Sequence, residues 1–272
     1  MKGPIYVLNS NGEDDKKNEI VIPPIGFQNT GSICYFNSLI QSLLSCRSFV
    51  HYICKEKRDS PIYLFFKFIA IEKKWDPFFT SKLLHYMTAY APNQSSSEYF
   101  LKLCDNEKLD DLFSTKSDTV TTCSECNTKN SIIDTSVYFM IQNDINEFHQ
   151  SNRTIDDYQC DVCKKKVQAS IESNLKEISP IMVFSFNKYF EKKNIEYPKG
   201  FTINTDNEYH LISTIEHQGT LQAGHYFSRS VRNGEIIKID DNSVSKLDDL
   251  PSTENTYMAF YQRVEKVSQK TE

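Results

Sequence analysis

Two short cysteine pairs, Cys123-Ser-Glu-Cys126 and Cys160-Asp-Val-Cys163, constrain this 272-residue chain more than any other feature. In each pair the two-residue spacer lets both sulfurs face one point, and 33 residues separate the pairs. Four thiolates fill the tetrahedron that zinc prefers in structural sites. If they share one metal, two turns distant in sequence must meet in space, and the strand-like segments of 115–178 must carry them there. The competing readings are a redox dithiol and four unrelated cysteines. A redox motif needs only one pair, and nothing nearby reads as a thioredoxin βαβ unit.

Cys34 sits in a different setting. Gly26-Phe-Gln-Asn-Thr-Gly-Ser-Ile-Cys-Tyr-Phe-Asn-Ser-Leu-Ile-Gln-Ser-Leu-Leu44 runs from a glycine turn into an apolar pattern in which Leu39, Leu43 and Leu44 recur at helical spacing. That places Cys34 in the first turn of a helix, whose positive end favours a thiolate. Asn29, five residues earlier, offers an amide donor to the carbonyl that Cys34 would attack. A buried structural cysteine is the plainer alternative, because such a cysteine needs a distant partner.

The partner lies downstream. Leu221-Gln-Ala-Gly-His-Tyr-Phe-Ser-Arg-Ser-Val-Arg232 and Glu235-Ile-Ile-Lys-Ile-Asp240 flank Asn233-Gly234, the strongest short signal for a two-residue type I′ hairpin turn. If no bulge intervenes, Arg232 faces Glu235, Phe227 faces Asp240 and His225 faces Asn242. His225 and Asp240 then share a sheet face as diagonal neighbours, and Asp241 points to the other face. The register nominates Asp240 to orient His225.

These segments resemble the ubiquitin-specific proteases, a papain-like deubiquitinase family. Asn29-Thr-Gly-Ser-Ile-Cys-Tyr-Phe-Asn-Ser38 is similar to the family's cysteine box, and Gly224-His-Tyr-Phe-Ser228 with Ile239-Asp-Asp241 to its histidine box. Asn93-Gln-Ser-Ser-Ser-Glu-Tyr-Phe-Leu-Lys-Leu-Cys-Asp105 resembles its Gln-Asp-Ala-x-Glu-Phe helix. Ser179-Pro-Ile-Met-Val-Phe-Ser-Phe-Asn187 and Thr256-Tyr-Met-Ala-Phe-Tyr-Gln-Arg263 resemble its palm strands. The blocks come in the family's order and cover nearly everything from residue 25 to 264.

The resemblance implies an α+β fold of the papain-like, ubiquitin-specific protease type. It has a helical thumb over about 25–114, zinc-ribbon β fingers over about 115–178 and a β-rich palm over about 179–264. It implies a structural zinc on Cys123, Cys126, Cys160 and Cys163, and a site of Cys34, His225, Asp240 and Asn29. Ser95, Glu98, Gly224 and Tyr226 become substrate-binding positions, with Gly224 keeping the wall of a channel for a Gly-Gly tail bare and 217–223 lining its mouth. Ubiquitin and ubiquitinated proteins are the implied partners.

Three departures stand out. Ser32-Ile33 replaces the family's usual Asn-Thr or Ala-Thr, with Ser32 positioned to help cap the helix. Ser95 stands where the family has Asp, so half of an acidic clamp formed with Glu98 is gone. Ile236-Ile237 replaces an expected tryptophan.

Net charge of −5 and a pI near 5.8 give no nucleic-acid footprint. No segment reads as a membrane span; the apolar run 62–70 is too short and holds Lys67. Beyond Cys34 and the two pairs only Cys46, Cys54 and Cys104 remain. That odd remainder suits a reducing cytoplasm or nucleus, and no secretory signal opens the sequence. A monomer is expected, with a polar lead-in over 1–24 and a frayed tail after Val264. Besides an active ubiquitin isopeptidase, two readings stay open: a protease for SUMO or another modifier, and a catalytically weak ubiquitin-binding zinc-ribbon module.

Overall fold

The computed structural model describes residues 22–264 except 57–58, 73–75, 77–94, 143–144, 149, 187–194, 204, 206, 221–222 and 252. Most of the expected lead-in, the tail beyond Val264, Asn93-Gln94 of the acidic-helix block, Asn187, and Leu221-Gln222 of the channel mouth lie outside the described residues.

Helices come first: α1 (Cys34–Ser45), α2 (Arg47–Lys55), α3 (Pro61–Glu72), α4 (Ser96–Glu107) and the single turn α5 (Asp110–Phe113). Then come β1 (Thr115–Cys123), β2 (Lys129–Ser136), β3 (Phe139–Ile141), β4 (Gln150–Gln159) and β5 (Lys166–Glu177). The remaining strands are β6 (Ile181–Phe186), β7 (Gly200–Ile203), β8 (Asn207–Gly219), β9 (Gly224–Arg232), β10 (Glu235–Asp240), β11 (Ser243–Leu247) and β12 (Thr256–Arg263).

Two sheets result. A four-stranded antiparallel sheet runs β2-β1-β5-β4 and carries the cysteine pairs at its turns. An eight-stranded sheet runs β11-β10-β9-β8-β12-β6-β3, with β7 on the outer part of β8. Only β3, on β6, pairs in parallel among the described strands. β12, last of the described strands, lies inside this sheet between β8 and β6.

Strand alternation divides the large sheet's core. Ile215, Met258 and Phe260 face the helices and join Phe36, Leu39, Leu43, Phe49, Phe65 and Phe100. Tyr209, Leu211, Ala259 and Tyr261 face the other way, onto Phe184, Phe186 and Ile203. Fully burying each large side chain contributes about 1.5–3 kcal/mol.

α1 is buried from Cys34 to Leu44, polar residues included, so those residues need partners inside. Ser42 Oγ donates to Ser38 O, Gln41 Nε2 donates to Ile25 O at 2.7 Å, and Ser213 Oγ donates to Ser42 Oγ. Arg232, at the end of β9, is buried beside α1. It donates to Gln41 O, Gln41 Oε1, Ser45 Oγ and Pro23 O, and burial pulls its guanidinium down to about 9. This single side chain ties helix, hairpin and entering chain together.

Candidate active site

Asn233-Gly234 forms the hairpin turn that its sequence predicts. Both residues have positive φ, +53° and +79°, and Arg232 pairs with Glu235. The register then runs without a bulge to Ile239 opposite Ser228. Two expected pairings are not made: the β9–β10 register stops at Ile239, so Phe227 does not pair with Asp240, and His225 does not face Asn242, because Asp241-Asn242 is itself a two-residue turn that pairs Asp240 with Ser243 of β11. Beyond Asp240 the strand has left the plane of β9.

His225 Nε2 lies 2.6 Å from Asp240 Oδ1, so the diagonal contact read from the register is present. Lys238 Nζ lies 2.8 Å from the other oxygen. Burial opposes ionisation of Asp240, but the bonds from His225 and then Lys238 outweigh it and hold the carboxyl below its ordinary value. Cys34 Sγ meets the backbone of Tyr226, the residue after His225, because α1 packs directly on β9. Nucleophile and imidazole thus come from segments 191 residues apart.

The thiol departs from the expectation drawn from the helix dipole. Cys34 is only 9% exposed, and burial pushes its thiol above the ordinary value. The hydrogen-bonded Tyr226 backbone opposes this, and the nearby Asp241 carboxylate adds to it. Burial thus works against the thiolate that the helix N-terminus favours.

Asp241 also departs from the alternation argument. It has φ +49°, and pleat alternation does not govern a left-handed turn residue. Its carboxylate lies on the same side as the others, with ligand atoms of His225, Asp240 and Asp241 all within 4.8 Å of one another. It accepts from Asn29 Nδ2 at 3.0 Å and Asn37 Nδ2 at 2.8 Å. Asn29 Oδ1 accepts from the backbone N–H of Gly31 and Ile33, so its amide plane is fixed at both ends, with one Nδ2 proton left over. Asn37 was not read as a site residue. The available signal was a polar residue one turn past Cys34, inside an apolar helix.

Gly26 lets this turn dock. Phe27 N donates to Asp241 O at 2.8 Å, and a Cβ at Gly26 would meet the Asn242 backbone at 2.6 Å. Ser32 does not cap α1: it has φ +50°, Ile33 occupies the N-cap without a side-chain bond, and Asn29 satisfies the amide of Ile33 instead.

The four expected substrate positions divide. A Cβ on Gly224 would run into the imidazole of His217, so that side chain packs against this glycine. Tyr226 is 7% exposed, its ring packed 4.3 Å from His217 and 5.5 Å from Tyr257, so it meets the site through its backbone. Residues 217–219, expected in the mouth loop, continue β8. Ser95 is the N-cap of α4: its Oγ accepts from Glu98 N and lies 3.0 Å from Tyr257 OH, which also meets Ser97 at 2.6 Å. Glu98 pairs with Lys102 at 3.2 Å, and its second carboxylate oxygen is buried with no partner among the described residues.

At the far end of the four-stranded sheet the two pairs meet. All four sulfurs lie within 4.8 Å of one another, with Cys123–Cys163 at 3.9 Å and Cys126–Cys160 at 3.6 Å. A metal with sulfur bonds of about 2.3 Å, as zinc makes, needs tetrahedral edges of about 3.8 Å. The donor set and spacing fit. Each pair turns through a left-handed residue, Asn127 or Lys164, closed by bonds from Asn127 N to Cys123 O and Lys164 N to Cys160 O. The Thr128 hydroxyl, helped by its backbone, brings the Cys126 thiol down to about 6.

Among known proteins, a family model described as ubiquitin carboxyl-terminal hydrolase matches residues 25–97 and 93–261. Ubiquitin carboxyl-terminal hydrolase 4 of Pongo abelii is 32% identical over 128 residues, 40% of this chain and 13% of that protein. Probable ubiquitin carboxyl-terminal hydrolase 16 of Schizosaccharomyces pombe is 29% identical over 131 residues, 42% of this chain and 29% of that protein. The matches thus span under a third of either relative's length. The SAGA DUB module of Ubp8, Sgf11, Sus1 and Sgf73 bound to monoubiquitin shares the fold, with a TM-score of 0.72 at 18% identity. That match covers 89% of this chain and 69% of the solved chain. The yeast SAGA DUBm structure gives a TM-score of 0.69 at 18% identity, over 93% of this chain and 73% of that one.

Proposed function

The chain belongs to the ubiquitin carboxyl-terminal hydrolase family, and from that membership we propose that it is a cysteine isopeptidase cleaving after the C-terminal glycine of ubiquitin. The observation that carries this reading is the convergence of Cys34, His225, Asp240 and Asn29 at the junction of α1 with the β9–β10 hairpin.

In this mechanism His225 takes the Cys34 proton as the sulfur attacks the glycine carbonyl. Asp240 holds the imidazole through Nε2, leaving Nδ1 for the thiol. The free Nδ2 proton of Asn29 and the backbone N–H of Cys34 stabilise the oxyanion. Collapse breaks the C–N bond, and His225 returns the proton to the departing lysine amine. Water, deprotonated by His225, then attacks the thioester, releasing the glycine carboxylate and the thiol. Cys123, Cys126, Cys160 and Cys163 would hold a zinc ion in a structural role, since four thiolates satisfy the coordination zinc prefers in such sites. It would pin the sheet that grips the body of ubiquitin, and monoubiquitin in the SAGA DUB module supports ubiquitin as the partner. We assign the chain to the cytoplasm or nucleus as a monomer, a placement its unpaired cysteines support.

Covalent capture tests the assignment. Ubiquitin and SUMO bearing a thiol-reactive C-terminus are incubated with the full chain and with Cys34→Ala, and adduct mass is read. A ubiquitin adduct on the intact protein alone is expected. A SUMO-only adduct would redirect the substrate assignment, and no adduct from folded, zinc-loaded protein would leave a binding module.

Ser95 bears on affinity. With an N-cap serine in place of the family's Asp, Glu98 alone faces an arginine-bearing tail. Ser95→Asp keeps the cap, since Asp caps as well as Ser, and adds a charge. It is expected to lower KM for ubiquitin substrates roughly 2- to 5-fold, in line with one added ion pair of up to about 1 kcal/mol. An unchanged KM would remove the clamp from the account.

A further inference from the structure

We infer that Lys238 is a positioning residue of this site: its ammonium holds one oxygen of Asp240 so that the other stays aimed at His225. The inference rests on the thiol-hydrolase reading above. Lys238 and Asp240 are two apart on β10 and share a face. With Lys238 Nζ at 2.8 Å from Oδ2 and His225 Nε2 at 2.6 Å from Oδ1, both carboxylate oxygens are committed, and the carboxylate plane is fixed at two points.

Lys238 is itself held. Its Nζ lies 4.2 Å from the centroid of the Phe227 ring, and Phe227 is 2% exposed, a buried platform on β9. The Arg229 guanidinium lies 5.7 Å from the same ring. The ionisable groups facing Asp240 are His225 from β9, Lys238 from β10 and Asp241 from the turn; Arg229 of β9 faces the Phe227 ring, and Cys34 of α1 lies near Asp241. A half-exposed ion pair of this kind contributes little to stability. Its effect is geometric, because the imidazole needs one orientation to reach the thiol, and small misplacements at a reacting centre are costly in rate. The pair also draws negative charge from Asp240, which helps keep that carboxyl ionised.

The test uses the full chain carrying Lys238→Met or Lys238→Arg. Hydrolysis of a fluorogenic ubiquitin C-terminal amide gives kcat and KM, and carbon NMR of the Asp240 carboxyl, in protein without substrate, gives its titration midpoint. Lys238→Met is expected to lower kcat about 3- to 10-fold, with KM within about twofold, as loss of one orienting contact requires. Its Asp240 midpoint should rise, since a cation favouring the ionised form is gone. Lys238→Arg should restore both. Wild-type kcat in Lys238→Met, an unmoved Asp240 midpoint, or equal loss in the Met and Arg variants would each overturn the inference. If the unaltered chain fails to hydrolyse the amide, the functional reading falls. The NMR titration then still decides whether Lys238 governs Asp240.

Discussion

Asp240→Ala is expected to lower kcat roughly 10²–10⁴-fold while leaving the fold intact, because it frees the imidazole that must take and return the proton. The side chain of Asp240 is 28% exposed and lies at a strand end, so its removal opens no core cavity. Asp241→Ala should also be costly, for a different reason. It deletes the acceptor that fixes Asn29 and Asn37, and so resembles loss of one oxyanion donor, roughly 10²–10³ in kcat. The two variants separate by double-mutant analysis. Asn29→Ala combined with Asp241→Ala should be no worse than either alone, since they form one unit. Asn29→Ala combined with Asp240→Ala should compound. Full activity in Asp240→Ala beside a dead Asp241→Ala would transfer the orienting role to Asp241.

Removal of zinc should act on grip rather than on chemistry. Cys160 is 1% exposed and the sulfurs already stand near tetrahedral spacing, so Cys160→Ser should abolish stoichiometric zinc in native mass spectrometry. The turns at Asn127 and Lys164 would then lack the metal bridge between them, leaving the β1–β2 and β4–β5 hairpins joined through the pairing of β1 with β5. Amide exchange should rise in both hairpin tips. The ubiquitin KM is expected to increase roughly tenfold or more, equivalent to about 1.4 kcal/mol, with kcat changed far less. A zinc-free variant with wild-type KM would show that the four-stranded sheet makes no contact that matters, whereas an equal fall in kcat would tie the metal to the active site.

Local spacing made much of this legible. The Asn233-Gly234 turn sets a register that carries His225 to Asp240, and the two C-x-x-C pairs fix their own meeting point, because each rests on geometry within a few residues. What stayed hidden depends on contacts between distant segments. Asp241 escapes the alternation argument because a second turn follows Asp240 at once. Asn37 and Arg232 look like interruptions of apolar elements until helix, hairpin and entering chain are brought together. At Gly224 the sequence does not reveal that the His217 side chain of the neighbouring strand packs against it. At Cys34 the helix dipole is visible in sequence, whereas the burial that opposes it is not.

β9 packs directly on α1, but β8 beside it is joined to β6 through β12, and residues 256–263 follow every residue of the site in the chain. A chain cut before residue 256 would hold Cys34, His225 and Asp240 and yet leave β8 and β6 as two unjoined edges, so completeness of the site in sequence is not completeness of the sheet that carries it.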